Sequence, residues 1–221
     1  MKKIIYYIKK LIKHIDRHSP WPLFYPWVMS KNEREAFDKI LKKSEGYLEF
    51  GSGGSTIRAL QKSKAKIYSV DSSLEWFEFM RKYFFVRYFE KRRLHFFLIN
   101  IGVTKGWGYP VNDSSKHLFP QYSSNIFKNV DVENLDTFFI DGRFRVACTL
   151  KVILQVSAFD NRNKIILIHD FWNCNREYYH VVLNYLEIIE MVDSLGVFKI
   201  KENLNISDVE NDYEQYKYDT R

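Results

Sequence analysis

The chain has 221 residues, 46% of them hydrophobic, which is enough for one domain with a well-buried core. Its 34 Lys and Arg against 27 Asp and Glu give a net charge of +7, which suits an acidic partner such as anionic lipid, a polyanionic glycan or nucleic acid. The sequence contains no motif that reads RNA or DNA, and Cys148 and Cys174 do not form a C-x-x-C pair and suggest neither a disulfide framework nor a zinc site. We therefore expect a reduced, cytoplasmic protein with no specific nucleic-acid partner.

Residues 1–17 predict a basic amphipathic helix. Its apolar residues fall on one helical stripe that includes Ile4, Ile8, Leu11 and Ile15. Lys9 and Lys10 interrupt every apolar run, which argues against a membrane span or a signal peptide. Two interpretations stay open: the stripe packs on the domain or on a second subunit, or the helix contacts the inner membrane surface peripherally. A Pro- and Trp-rich segment breaks the helix, so we treat residues 1–30 as an arm.

Residues 31–221 alternate helices with strands, which predicts one α/β domain. Strands are predicted over 46–50, 66–71, 94–100, 135–141 and 164–170. Helices are predicted over 31–43, 55–61, 76–89, 146–156 and 177–191. Residues 101–134 have an irregular pattern, a late strand over 196–201 is expected to pair near 215–218, and the acidic residues 208–214 are expected in a surface loop. This order favours a mostly parallel sheet with helices on both faces.

A glycine-rich turn separates the first predicted strand from the helix that follows, in the sequence Leu48–Thr56. Glycine lets the backbone approach a ligand where a Cβ would clash. Asp71 ends the second predicted strand, 20 residues after Gly51, and its carboxylate can accept two hydrogen bonds from a ribose diol. Together they predict a pocket for an adenosine-bearing cofactor, although an ordinary strand-to-helix turn without a ligand is the alternative.

The residues of this turn favour S-adenosylmethionine (SAM) over NAD. Thr56 stands where the dinucleotide fingerprint has its third glycine, and the carboxylate of Glu49 would repel a pyrophosphate. SAM has no phosphate, and Glu49 could pair with its ammonium group. The predicted cofactor-binding residues are Glu49, Gly51, Ser52, Gly53, Gly54, Ser55 and Asp71.

The turn resembles the E/D-x-G-x-G-x motif of class I SAM-dependent methyltransferases, with Asp71 as the acid after the second strand. Two later motifs resemble a bacterial branch of methyltransferase-like proteins: FIDGRFRVA over 139–147, and IHDF over 168–171 with Arg176 and Tyr178. The resemblance covers roughly residues 45–185. It implies a Rossmann-like methyltransferase fold, SAM as the cofactor and a place in polysaccharide biosynthesis, but it does not establish a methyl acceptor.

Three predicted strands end in acids, namely Asp71, Asp141 and Asp170, and ligands bind at the carboxyl ends of parallel strands. Asp141 could act as general base or metal ligand. His169 could take a proton from an acceptor hydroxyl, so Asp141, His169 and Asp170 are the predicted catalytic residues. The plainer alternatives are that Asp141 caps the next helix or pairs with an arginine, and that His169 is a packing residue.

Four residues are predicted to bind the acceptor: Arg143, Arg145, Arg176 and Tyr178. The guanidinium groups of Arg143 and Arg145 could hold an anionic acceptor, although Arg145 could instead form a structural salt bridge. Some O-methyltransferases place a divalent cation between carboxylates at these strand ends, and Asp141 and Asp170 match that layout. The asparagine that follows the second acid in that family is Phe171 here, which disfavours the metal.

The predicted function is therefore methyl transfer from SAM, most simply to oxygen, with a small molecule or glycan as acceptor. The alternative is a non-catalytic SAM-fold scaffold at a membrane surface that uses the basic helix. An NAD-linked enzyme is the third hypothesis, which Glu49 and Thr56 disfavour. The acceptor and the oligomeric state are not determined by the sequence.

Overall fold

The computed structural model describes residues 2–159 and 163–221 and, in the first helix, the side chains of residues 7 and 10–17 only. Within these ranges the chain forms seven strands and eight α-helices. The strands are β1 (Gly46–Phe50), β2 (Lys66–Asp71), β3 (Leu94–Leu98), β4 (Thr137–Ile140), β5 (Ile165–Ile168), β6 (Leu186–Val192) and β7 (Leu195–Ile200). The helices are α1 (Lys2–Arg17), α2 (Lys31–Leu41), α3 (Gly54–Lys62), α4 (Leu74–Met80), α5 (Phe84–Phe89), α6 (Pro120–Ser124), α7 (Arg145–Ser157) and α8 (Ile206–Tyr216).

The seven strands form one sheet in the order β3-β2-β1-β4-β5-β7-β6. Strands β1 to β5 are parallel, and β7 pairs antiparallel with both β5 and β6. One face of the sheet is covered by helices α2 to α5 and the other by α6 to α8. All residues of β1 and β4 are buried because both faces of these central strands are covered. The predicted mostly parallel α/β architecture is confirmed.

The first part of the domain follows the sequence prediction closely. Strands β1 and β2 have the predicted bounds, and α2, α3 and α7 lie where the apolar periodicity placed them. The helix predicted over 76–89 is instead two helices, α4 and α5. Tyr83 between them has an extended backbone and is buried, and its hydroxyl donates to the carbonyl of Phe24 in the arm. The break allows both short helices to bury an aromatic face on the sheet.

Three predictions in the last third of the domain are wrong. Residues 177–191 do not form one helix, because a 3₁₀ run over Glu177–Asn184 is followed by β6. Strand β7 pairs with β6 rather than with residues near 215–218. The acidic segment 208–214 lies in α8, which buries Val209 and Tyr213 on one side, rather than in a loop. Strand β6 is mostly exposed, so its ladder with β7 decides its conformation and its apolar pattern does not.

Helix α1 is present, but its apolar stripe does not pack on the domain where its side chains are described. Leu11 is 58% exposed, Ile12 43% and Ile15 61%. The prediction that the stripe packs on the domain is therefore wrong for these residues. The side chains of Ile4 and Ile8 lie outside the described residues. The arm then folds back along the domain, and the carboxylate of Asp16 accepts hydrogen bonds from two backbone N–H groups of that arm. Among the helices described, none is long and apolar enough to cross a membrane.

Candidate active site

The glycine loop after β1 packs tightly against the turn after β4. Gly51 has a φ of +99°, and a Cβ there would lie 2.6 Å from the backbone nitrogen of Gly142. A Cβ on Gly54 would lie 2.3 Å from the carbonyl oxygen of Pro26, so the arm covers the start of α3. At Gly53, by contrast, a Cβ would meet only the ring of Trp76, at 3.8 Å. Gly51 and Gly54 are therefore required by close backbone packing, and Gly53 faces a less crowded side of the loop.

Asp71 lies at the tip of β2 beside this loop, as predicted. Its carboxylate accepts hydrogen bonds from the backbone N–H of Ser52 at 3.0 Å and of Ser73 at 2.9 Å. Burial raises the pKa of Asp71, and these backbone hydrogen bonds oppose the rise. The indole N–H of Trp76 donates to the carbonyl of Ser52 at 2.5 Å. Asp71 at the tip of β2, the turn after β4 and the indole of Trp76 therefore fix the conformation of the glycine loop.

Glu49 does not face the open side of the loop. The alternation of β1 turns its side chain toward α3, where it is fully buried. Its carboxylate accepts hydrogen bonds from four hydroxyl groups, those of Tyr47, Ser55, Thr56 and Ser69. Burial raises its pKa to about 7. Glu49 is therefore not placed for the predicted direct pairing with the ammonium group of a cofactor in the loop. The hydroxyl of Ser55 also points to the buried side of the loop, where it donates to Glu49.

The three predicted catalytic residues meet at the carboxyl ends of β4 and β5. These strands pair in register, with Ile140 opposite Ile168, which places the residues that follow them side by side. Nδ1 of His169 lies 3.0 Å from Oδ1 of Asp141 and 3.8 Å from Oδ1 of Asp170. Asp141 and Asp170 keep 33% and 26% of their side chains exposed, whereas His169 keeps 7%. The carboxylates therefore face the edge of the sheet, and the imidazole lies behind them.

Arg145 joins the two carboxylates from the interior. Its guanidinium lies 3.0 Å from Oδ1 of Asp141 and 3.4 Å from Oδ2 of Asp170, and it also donates to the backbone carbonyls of both turns. Its side chain is only 4% exposed. Arg145 therefore forms the structural salt bridge that was the alternative interpretation, and it does not present its guanidinium to an acceptor.

The charges of this cluster keep Asp141 ionised. Burial alone would raise the pKa of Asp141, but the hydrogen bond from His169 and the charges of His169, Arg145 and Arg143 outweigh it and lower the pKa. Burial alone would lower the pKa of His169, but the hydrogen bond to Asp141 and the charges of Asp141 and Asp170 raise it. The pair therefore favours an imidazolium bonded to a carboxylate.

Sequence reasoning missed Glu33, which lies on the other side of the imidazole. Its Oε2 is 3.7 Å from Nε2 of His169, and its Oε1 accepts hydrogen bonds from the backbone N–H and the hydroxyl of Ser194. The only local signal is a capping box with Ser30 at the start of α2, which indicates a helix start and nothing more. Both ring nitrogens of His169 thus face carboxylates, so the ring positions Asp141 rather than facing a ligand.

Arg143 follows β4 and has an unsatisfied buried atom. The residue is 8% exposed, and its Nη1 has no hydrogen-bond partner among the described residues. Its guanidinium lies 4.2 Å from the centroid of the Tyr109 ring. A Cβ on Gly108 would lie 3.7 Å from Cγ of Arg143 and 3.6 Å from the hydroxyl of Ser72. The loop that contains Gly108 and Tyr109 therefore covers the region between Asp71 and Arg143.

Arg176 and Tyr178 lie next to the cluster and are joined to it through Tyr179. Nη1 of Arg176 donates to the hydroxyls of Tyr178 at 2.8 Å and of Tyr179 at 3.0 Å. The guanidinium of Arg145 lies 5.5 Å from the ring of Tyr179. Arg176 and Tyr178, two of the four predicted acceptor residues, are half-buried, and their role in binding an acceptor stays a prediction.

No protein-family model and no curated protein matches this chain. Among solved structures, the chain is similar to a methyltransferase-like protein from Silicibacter pomeroyi, with 24% identity and a TM-score of 0.75 over 88% of this chain and 98% of that chain. The chain has a Rossmann-like methyltransferase fold. A protein from Corynebacterium glutamicum is 8% identical, with a TM-score of 0.50 over 82% of this chain and 85% of that one. The fold that the sequence resemblance implied is confirmed, and the proposed bacterial branch stays a prediction.

The acids at the β4 and β5 tips also permit a test of the metal hypothesis. Ligand atoms of Asp141, His169 and Asp170 lie within 4.8 Å of one another. However, Arg145 already pairs with both carboxylates, and its positive charge beside them opposes the binding of a divalent cation. The donor set therefore fits a metal poorly in this arrangement, and we derive no step through one.

Proposed function

We propose that the protein is a SAM-dependent methyltransferase that transfers a methyl group to an oxygen of a small-molecule or glycan acceptor. One observation carries the proposal. The glycine loop with Asp71 and the cluster of Asp141, His169 and Asp170 lie on the same carboxyl edge of the sheet. Adenosine recognition and proton transfer can therefore operate side by side, and the methyltransferase fold is consistent with this arrangement.

The residues at this edge fit SAM in two ways. The carboxylate of Asp71 is oriented by two backbone N–H groups and still has lone pairs for the hydroxyls of a ribose. The Nη1 of Arg143, which lacks a hydrogen-bond partner among the described residues, matches an anionic group such as the carboxylate of the cofactor, because a buried N–H group without an acceptor is costly. When bound, the cofactor supplies a methyl group already activated by a sulfonium.

Asp141 is the residue suited to the acceptor hydroxyl. Among the described residues, His169 and Arg145 both bind its Oδ1, so Oδ2 remains for an acceptor on the partly exposed side. The acceptor hydroxyl would donate to Oδ2 and pass its proton there as its oxygen takes up the methyl group, with the S–CH3 bond of the bound cofactor breaking to leave S-adenosylhomocysteine. His169 and Arg145 hold the carboxylate in place and ionised, and alignment supplies much of the remaining effect. His169 is thus a positioning residue, in contrast to the predicted direct base.

Calorimetric titration of the purified protein with SAM, S-adenosylhomocysteine and NAD tests the proposal. We expect binding of the first two and none of NAD. Asp71→Asn keeps the shape of the side chain but removes the charge that the ribose hydroxyls need, so affinity should fall by about tenfold or more. Asp208→Asn, at an exposed position in α8, is the matched control and should bind normally. Absence of SAM binding, or equal binding by both variants, contradicts the proposal.

A further inference from the structure

The fold brings the end of the basic segment 1–17 next to a second basic segment, residues 81–93, that is distant in the sequence. The guanidinium of Arg17, at the end of α1, lies 5.4 Å from the ring of Phe79 and 5.9 Å from that of Tyr83. Trp21 then packs edge-on against Phe85, with their ring centroids 5.6 Å apart. The end of α1 and the start of the arm therefore rest on α4 and α5.

Helix α1 presents both cations and apolar side chains to the solvent. Residues 10–15 are all exposed, and six consecutive helical positions cover more than a full turn. This part of the helix is therefore not packed on the domain on any side. Leu11, Ile12 and Ile15 are exposed alongside Lys10 and Lys13.

The neighbouring surface continues the same mixture. In the arm, Trp21 is 50% exposed, Leu23 69% and Phe24 50%. On α5, Phe84 and Tyr88 are 41% and 48% exposed. Exposed cations surround them at Lys82, Arg87, Lys91 and Arg92. We call the surface formed by residues 10–17 of α1, residues 21–24 and residues 82–92 the basic aromatic face.

We propose that the basic aromatic face binds the surface of an anionic phospholipid bilayer. Its cations suit anionic headgroups, and its aliphatic and aromatic side chains can enter the boundary between headgroups and acyl chains. A nucleic acid would neutralise the cations but would offer no apolar phase for Leu11, Ile12 and Ile15. A second copy of the face would bring two cationic surfaces together, and the only acid in residues 1–17, Asp16, already accepts hydrogen bonds from the arm.

The position of this face has a consequence for the candidate active site. Arg17 contacts Phe79, the Phe79 ring stacks 5.0 Å from the Trp76 ring, and Trp76 donates to Ser52 in the glycine loop. The base of α1 is therefore joined to the loop through two aromatic rings. A protein bound to a bilayer through this face would hold the glycine loop close to the membrane surface.

Co-sedimentation with vesicles tests the proposal on the full chain. We expect binding to vesicles of phosphatidylcholine mixed with phosphatidylglycerol, no binding to phosphatidylcholine alone, and release in about 1 M NaCl, where the Debye length is about 3 Å. Two variants should each bind about tenfold more weakly or worse: Leu11→Gln/Ile12→Gln/Ile15→Gln, which keeps the charge, and Lys10→Glu/Lys13→Glu. All five side chains are exposed, so thermal unfolding should be unchanged.

The matched control is Lys116→Glu/Lys128→Glu, which makes the same change of charge at exposed positions beside α6 on the opposite face of the sheet. This variant should bind vesicles as the wild type does. Equal losses in both charge variants would mean that net charge alone drives binding, and would overturn the proposal. Binding of single-stranded RNA without vesicle binding would assign the face to nucleic acid. Self-association that the glutamine variant abolishes, without vesicle binding, would assign it to a second copy.

Discussion

Replacing Glu49 by glutamine should remove a pH dependence of stability that its burial creates. Burial raises the pKa of this carboxyl from 4.5 to about 7. Between about pH 4.5 and pH 7 the folded protein keeps a proton that the unfolded chain has lost. The contribution of the protonated Glu49 to the stability of the folded protein is therefore complete below pH 4.5 and is lost as the pH rises through 7. At about 1.4 kcal/mol per pH unit, the change amounts to about 3 kcal/mol.

Glu49→Gln is neutral at every pH, and the four surrounding hydroxyls can rotate to serve its amide. We expect the free energy of unfolding of the variant, measured relative to the wild type by urea denaturation, to rise by about 3 kcal/mol from pH 4.5 to pH 8. Other titrating groups contribute equally to both proteins and cancel. Glu45→Gln, at an exposed carboxyl just before β1, is the matched control for the substitution itself. Parallel pH profiles for Glu49→Gln and the wild type would refute the reasoning.

Two further predictions concern the turns at the carboxyl edge. Gly51→Ala should destabilise the protein by about 2 kcal/mol or more, because its φ is +99° and its Cβ would meet Gly142, whereas Gly106→Ala, with no atom within 4 Å of its Cβ, should be close to neutral in thermal unfolding. Asp141→Asn should lower the pKa of His169, because it removes the hydrogen bond and the charge that raise this pKa. Titration of the imidazole by NMR measures the change.

Similar unfolding temperatures for the two alanine variants would show that the loop relaxes without cost. An unchanged His169 titration in Asp141→Asn would contradict the role of Asp141 and leave Asp170 as the carboxylate that raises the pKa of the imidazole. In the wild type, the raised pKa of His169 stabilises the protein below the ordinary pKa of histidine, and this contribution is lost as the pH rises through the raised value. The asparagine variant should lose this part of the pH dependence.

The sequence alone determined the central sheet and the meeting of its strand ends. Strands β1 and β2 are short apolar runs bounded by turn residues, and the β–α alternation leaves a parallel sheet as the simplest arrangement. Because parallel strands end at one edge, Asp71, Asp141 and Asp170 had to lie near one another. Apolar runs, turn residues and the alternation of strands and helices depend on residues that are close in the chain, so they can be recognised in the sequence before the tertiary structure is known.

Only the tertiary structure decided which side chains face the edge. Arg143 and Arg145 are two residues apart in one motif, yet Arg145 is engaged by two carboxylates and Arg143 has a buried atom without a partner among the described residues. Glu33 reaches His169 from a helix near the start of the chain, and no spacing in the sequence records that contact. Strand β6 became a strand through its ladder with β7. In each case the deciding partner is distant in sequence, so its effect appears only after the chain has folded.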